Sequence, residues 1–236
     1  MQSISSVRKN LDWTRNQIRS IGITATAKKV ISTLMDSFYD WRYGTETSKP
    51  AWSDSLVTFS QNKVHANCYT PSKARPFTQL LAELKLPTSA VFVDIGAGKG
   101  RVLMLAANYR FKQVVGVELC SDLSAQAVRN MEIFRKTRPD LPVIDVVNSD
   151  AVEYRIPDGD VVFYLNNSFQ TPVLKEFLEN VRRAMGSMQR RIWMIYSPPV
   201  HDSVVQQSGI FTESRAYEFG GSAFMVYAAG PRRPGG

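Results

Sequence analysis

From about residue 70 onward the chain alternates short apolar runs with longer segments whose apolar positions recur every three or four residues. Short continuous runs describe strands buried on both faces, and the helical period describes helices with one face against a sheet. "SKARPFTQLLAELKL", opened by Pro71 and Ser72 and ended by Pro87, predicts a helix. "AVFVDI", "QVVGVE", "PVIDVV", "DVVFYL" and "RRIWMIYS" predict buried strands. Among them "RVLMLAANY", "SDLSAQAVRNMEIFRKTR" and "PVLKEFLENVRRAM" predict helices, the second with Ser121 as its N-cap. "SRAYEF" and "SAFMVYAA" then flank Gly220 and Gly221, a two-residue hairpin turn, so the last strand is expected to run antiparallel. The pattern predicts an α/β fold: a doubly wound, mostly parallel seven-stranded sheet with an antiparallel C-terminal hairpin strand, and ligands at the carboxyl ends of the strands.

The first third reads differently. Val7, Leu11, Ile18, Ile21, Val30, Ile31 and Leu34 recur at near-helical spacings and predict an N-terminal helical cap. Residues 41–71 are turn-rich without a clear period. The expected division is therefore a cap over 1–70, a sheet domain over 71–230 and a disordered tail, "PRRPGG", over 231–236.

Composition narrows the setting. No apolar run approaches the ~20 residues of a membrane span. The N-terminus lacks a signal-peptide core, but it is basic and rich in Ser and Thr, with Asp12 as its one acid before Asp36, so a transit peptide stays open beside the cap. Cys68 and Cys120 form no CxxC, and only His65 and His201 could join them, so no metal site is expected. Two free thiols suit a reducing, cytoplasmic compartment. The net charge of +8, from 29 Lys and Arg against 21 Asp and Glu, favours an acidic partner or serves solubility.

The chemistry concentrates in "FVDIGAGKGR". Asp94 precedes glycines at every second position, Gly96, Gly98 and Gly100, between a strand and a helix. A strand, a glycine loop and a helix N-terminus make a site for nucleotide-like ligands. Glu118 ends the next strand, about 20 residues on, where an acid grips ribose hydroxyls. A dinucleotide loop would place its third glycine at 101, where Arg101 stands, and a P-loop would need GK followed by Ser or Thr.

GxGxG preceded by an acid, with a terminal antiparallel hairpin, resembles the class I S-adenosylmethionine-dependent methyltransferases over residues 69 to about 229. The resemblance implies S-adenosyl-L-methionine as cofactor, bound by Asp94, Gly96, Gly98, Gly100 and Glu118, with Asp150 of "NSDA" on the adenine amino group. It also places "YLNNSFQTP" at the methyl-proximal end of the fourth strand, with Asn166, Asn167 and Phe169 as the catalytic candidates. Amine-directed members often carry prolines there, where Asn166, Asn167, Ser168 and Phe169 keep the amide and the aromatic but lack the prolines. "NNSF", with Tyr69 upstream and "WRYGTETS" at 41–48, is similar to the non-SET histone lysine methyltransferases and their small bacterial relatives, which adds Tyr69 to the cofactor contacts.

The implied activity is methyl transfer to an amine, in a protein lysine or a small molecule. Two alternatives stand beside it. A nucleic-acid methyltransferase is suggested by basic residues such as Arg8, Lys9, Arg15, Arg19, Arg182, Arg183, Arg190 and Arg191. The other is a non-catalytic S-adenosylmethionine-binding protein of the same fold. His65 reads as a loop residue and His201, after the fifth strand, as a candidate base. The sequence specifies neither the acceptor nor an oligomeric state.

Overall fold

A computed structural model describes residues 38–49, 70–166, 168, 170–186 and 190–231. Most of the expected N-terminal cap, the tail from 232, and His65, Cys68, Tyr69, Asn167 and Phe169 lie outside the described residues. The chain divides into two units, Met1–Arg42 and Tyr43–Gly236. In the first, the described residues 38–42 are helical, with the rings of Phe38 and Trp41 5.4 Å apart.

The second unit carries the sheet. Its elements run α1 (Ala74–Leu84), β1 (Val91–Ile95), α2 (Arg101–Asn108), β2 (Gln113–Glu118), α3 (Ser121–Thr137), β3 (Ile144–Asn148), β4 (Val161–Asn166), α4 (Thr171–Met185), β5 (Ile192–Ser197), α5 (Asp202–Gln207), β6 (Glu213–Phe219) and β7 (Ser222–Ala229). The seven strands lie in the order β3-β2-β1-β4-β5-β7-β6. β1 to β5 pair in parallel, and β7 is antiparallel to both β5 and β6. The expected doubly wound sheet and its C-terminal hairpin are both present.

Burial explains the strand sequences. β1 is buried along its whole length and β4 along all but its last residue, which is why both read as continuous apolar runs. β3 and β6 are the edges, half-exposed, and β6 carries the charged "ESRAYEF" that discourages pairing with another chain. α4 starts with a proline in its first turn and turns Val173, Leu174, Phe177, Leu178 and Val181 inward, where Phe177 meets Phe163 of β4 edge-on at 5.4 Å.

Two local expectations change. The N-cap of α3 is Cys120, not Ser121: the Cys120 N–H donates to Glu118 Oε1 at 2.9 Å, its backbone is extended, and its carbonyl accepts from Ser124. Ser121 is thus already inside the helix. α5 has no counterpart in the sequence pattern, because six residues are too few for a helical period to register.

The strand order reverses between β1 and β4. Chain leaving β1 turns toward β2, and chain leaving β4 turns toward β5, so a crevice opens outside their carboxyl ends. No helix among the described residues is long and apolar enough to cross a membrane.

Candidate cofactor site

The loop between β1 and α2 is held in a conformation that only its glycines adopt easily. Gly96, Gly98 and Gly100 have φ of 79°, 55° and 85°, all in the left-handed region. Space matters as well. A Cβ on Gly96 would lie 2.7 Å from both Cβ and Oγ of Ser168, so this glycine admits the loop that leaves β4. The protein's own packing therefore dictates part of the motif that the sequence assigns to ligand approach.

Glu118, at the end of β2, is the stay of that loop. Its Oε2 accepts from the Gly98 N–H at 2.7 Å and its Oε1 from the Cys120 N–H at 2.9 Å. Burial raises its pKa, and the backbone N–H groups of Cys120, Gly98 and Leu119 oppose the rise. The sequence assigns Glu118 to a ligand hydroxyl, and the structure adds this role in shaping the loop.

Asp94 is 2 % exposed, and its carboxylate makes no hydrogen bond among the described residues. Burial pushes its pKa well above the usual carboxylate range, and the nearby charge of Glu118 pushes it further. A buried carboxylate without a partner needs either a proton or a cation. The site therefore suits a ligand that is cationic, carries no phosphate and can lie close to backbone.

The other predicted residues are placed as follows. Asp150 caps a turn: its Oδ1 accepts from Val152 N–H at 3.1 Å, and its carbonyl accepts from Glu153 and Tyr154. Asn166 ends β4 and donates from Nδ2 to the Thr70 carbonyl at 3.0 Å, across 96 residues of sequence. Ser168 donates to the carbonyl of Ile95, the last residue of β1. The β4 exit and the glycine loop thus come together as expected of a doubly wound sheet. His201 pairs through Nδ1 with Thr171 Oγ1 at 3.3 Å, at the N-cap of α5.

Two groups of residues named in the sequence take roles that sequence reasoning does not assign them. The first is a strap over 43–48, in which Thr45 and Thr47 are buried on either side of exposed Glu46. Its backbone bonds to Asn130 of α3, and Arg101 donates from Nε to Thr47 Oγ1 at 2.8 Å. The signal was Asn130 itself, a polar residue on the apolar face formed by Ala127, Met131 and Phe134. The second is the pair Arg190 and Arg191. Arg190 is 3 % exposed and donates to the carbonyls of Pro157 and Ala184. Arg191 pairs with Glu213 at 2.8 Å. Neither presents a free charge to a polyanion.

The family described as "Histone methylation protein DOT1" matches residues 58–191, more than half of the chain. No curated protein matches it by sequence. Among solved structures, the glycopeptide N-methyltransferase MtfA complexed with S-adenosyl-L-methionine is similar at a TM-score of 0.52 and 12 % identity, covering 67 % of this chain and 94 % of that one. A candidate methyltransferase of Escherichia coli, yhhF, is similar at a TM-score of 0.51 and 16 % identity, covering 66 % and 85 %. An RNA methyltransferase from Salinibacter ruber, in complex with S-adenosyl-L-homocysteine, follows at a TM-score of 0.46 and 19 % identity, covering 68 % and 94 %. For the first two, at these identities, the likeness is one of fold. S-adenosyl-L-methionine, with its sulfonium and ammonium charges, fits the buried carboxylates and left-handed glycines described above. Fold, cradle and sequence match converge: the chain belongs to the DOT1 histone-methylation family and is an S-adenosylmethionine-dependent methyltransferase.

Proposed function

We propose that the protein transfers methyl groups to an amine, in a protein lysine or a small molecule, at the carboxyl end of β4. The observation that carries this reading is the Asn166 amide. Its Nδ2 is engaged by the Thr70 carbonyl, which leaves Oδ1 to accept from an incoming amine.

When bound, S-adenosylmethionine supplies a methyl group already activated by the sulfonium. The amine would attack as its free base, its proton having gone to solvent, and would form the N–C bond as the methyl group leaves sulfur. An amide oxygen holds an N–H in line without stabilising the ammonium form, as a carboxylate would. Alignment and exclusion of water, rather than a general base, are then the protein's contribution. His201, held by Thr171, is not needed for this step.

Asp94 would take the cationic amino group, Gly96, Gly98 and Gly100 the close approach, Glu118 the ribose hydroxyls and Asp150 the adenine amino group. Tyr69, Asn167 and Phe169 would complete the walls, and residues 1–70 would present the acceptor. A reducing, cytoplasmic setting suits the free, buried Cys120, whose thiol burial pushes up.

The test is transfer from methyl-labelled S-adenosylmethionine into a lysate separated into protein, nucleic acid and small molecules. Label on protein lysine or a small amine supports the proposal. Label confined to nucleic acid, or no label from protein that binds the cofactor, would overturn it.

A further inference from the structure

We infer that Asn130 is a positioning residue of the cofactor site: with Arg101 and Thr47 it fastens the 43–48 strap to the glycine loop, so that loop and strap order together when cofactor binds. Asn130 lies in the middle of α3 and is 1 % exposed. Its Nδ2 donates to the Lys99 carbonyl at 2.9 Å and to the Glu46 carbonyl at 3.2 Å. Its Oδ1 accepts from the Glu46 N–H at 3.0 Å. One amide side chain therefore binds both backbone groups of Glu46 and, at the same time, the carbonyl between Gly98 and Gly100.

The residue type is specific to this task. Asparagine is a poor choice for a helix interior and is costly to bury unless all of its hydrogen-bonding groups are met. Here both donor hydrogens are used, and all the partners named are backbone atoms on two other segments, 84 and 31 residues away. An apolar residue would fit the same helix face and hold neither segment.

The loop is thus gripped from two sides. Glu118 holds the Gly98 N–H from β2, and Asn130 holds the Lys99 carbonyl from α3. Both bonds fall on the stretch whose left-handed glycines leave it free to move otherwise. Two further links run to the strap. Arg101, 1 % exposed, donates to buried Thr47, and Lys99 Nζ lies 3.8 Å from Glu46 Oε1. The second is a partly exposed, weak pair, so the coupling rests on Asn130 and Arg101. By linkage, a ligand that orders the loop must stabilise the strap, and a strap that is cut loose must weaken the ligand.

The inference concerns cofactor binding alone and does not depend on the acceptor. Its test is calorimetry with S-adenosylmethionine and with S-adenosylhomocysteine on the full chain, together with amide hydrogen exchange. Asn130→Ala is expected to weaken both ligands by about 10-fold, the equivalent of one buried hydrogen bond. Thr47→Val, which keeps the shape and removes the hydroxyl acceptor, should weaken them several-fold, and Thr47→Ser should restore parent affinity. In the parent, cofactor should slow exchange at both 94–100 and 44–48. In Asn130→Ala the slowing at 44–48 should disappear, while the central strands β1 and β4 stay protected. Parent affinity in folded Asn130→Ala, or cofactor protection in the parent confined to the loop, would overturn the inference. If Asn130→Ala does not fold, the Thr47 pair decides: equal affinities for Val and Ser sink the coupling.

Discussion

The Ser168 hydroxyl donates to the Ile95 carbonyl at 2.5 Å, joining the exit of β4 to the last residue of β1 across 73 positions of sequence. Ser168 also occupies the space that a side chain on Gly96 would need, 2.7 Å from the position of its Cβ. The segment proposed to receive the acceptor and the loop proposed to hold the cofactor are therefore packed against each other.

This contact makes Gly96 and Ser168 an interacting pair. Gly96→Ala combines a clash with Ser168 and a left-handed backbone, and should destabilise the protein by about 1–3 kcal/mol and weaken cofactor binding. Ser168→Gly should lose about 1 kcal/mol, for the bond to Ile95. The double variant should recover part of the first loss, because the clash is gone while the backbone strain remains. Urea unfolding of the four proteins gives the coupling, and strict additivity would mean that the two sites do not touch.

Asp94 predicts an inverted pH dependence. Its folded-state pKa is raised, by burial first and by the Glu118 charge second, so the cofactor-free native state binds more protons than the unfolded chain between the ordinary and the raised value. Across that window its contribution to stability falls as pH rises. Asp94→Asn removes the effect, and the stability advantage of the variant over the parent should be larger at about pH 8 than at about pH 5. Cofactor affinity should move the other way, rising with pH in the parent as the carboxylate ionises, and being weak in Asp94→Asn. Thermal unfolding and calorimetry over pH check both signs.

Glu118 separates charge from loop geometry. Both of its oxygens accept backbone N–H groups, from Gly98 and from Cys120. Glu118→Gln keeps one acceptor oxygen and should weaken cofactor binding by about 10-fold, and Glu118→Ala by about 100-fold, since hydrogen bonds to a charged group are each worth roughly 1.5–3 kcal/mol. Calorimetry on both variants measures the order, and equal affinities would show that the loop stands without its stay.

Asn166 should govern rate rather than affinity. Asn166→Ala is expected to lower methyl transfer by ~10- to 1,000-fold while binding cofactor normally, as for one well-placed hydrogen bond to the reacting group. Asn166→Asp should hold the amine in its charged form and also be slow, with activity recovering as pH rises. Single-turnover transfer to the acceptor found in the labelling screen, beside calorimetry, distinguishes the two effects.

What the sequence discloses follows from how local each signal is. The runs "VFVDI" and "VVFYLN" are buried on nearly every position, so the central strands are evident without partners. The glycines and Glu118 are readable because a strand end, a tight loop and a helix start follow in order. The strap shows in the sequence only as the resemblance motif "WRYGTETS", and its packing role is not readable, because Thr45, Glu46 and Thr47 gain their meaning from Asn130 and Arg101, each more than 50 residues away. Arg190 and Arg191 mislead for the same reason: a charge run looks solvated until Pro157, Ala184 and Glu213 arrive to receive it.

The strand order carries a consequence for how the chain is made. β7 runs between β5 and β6, so β5 keeps an open edge until residues 222–229 have left the ribosome. Throughout that interval the backbone of "IWMIYS" is unpaired on one side, and Ile192, Met194 and Ile195, all fully buried at the end, stand uncovered by their last neighbour. At a synthesis rate of roughly 5–20 residues per second the exposure lasts a few seconds, long enough for another nascent chain to add its own strand there. Self-association of this protein should therefore begin at β5 during translation rather than at the charged edge of the finished sheet.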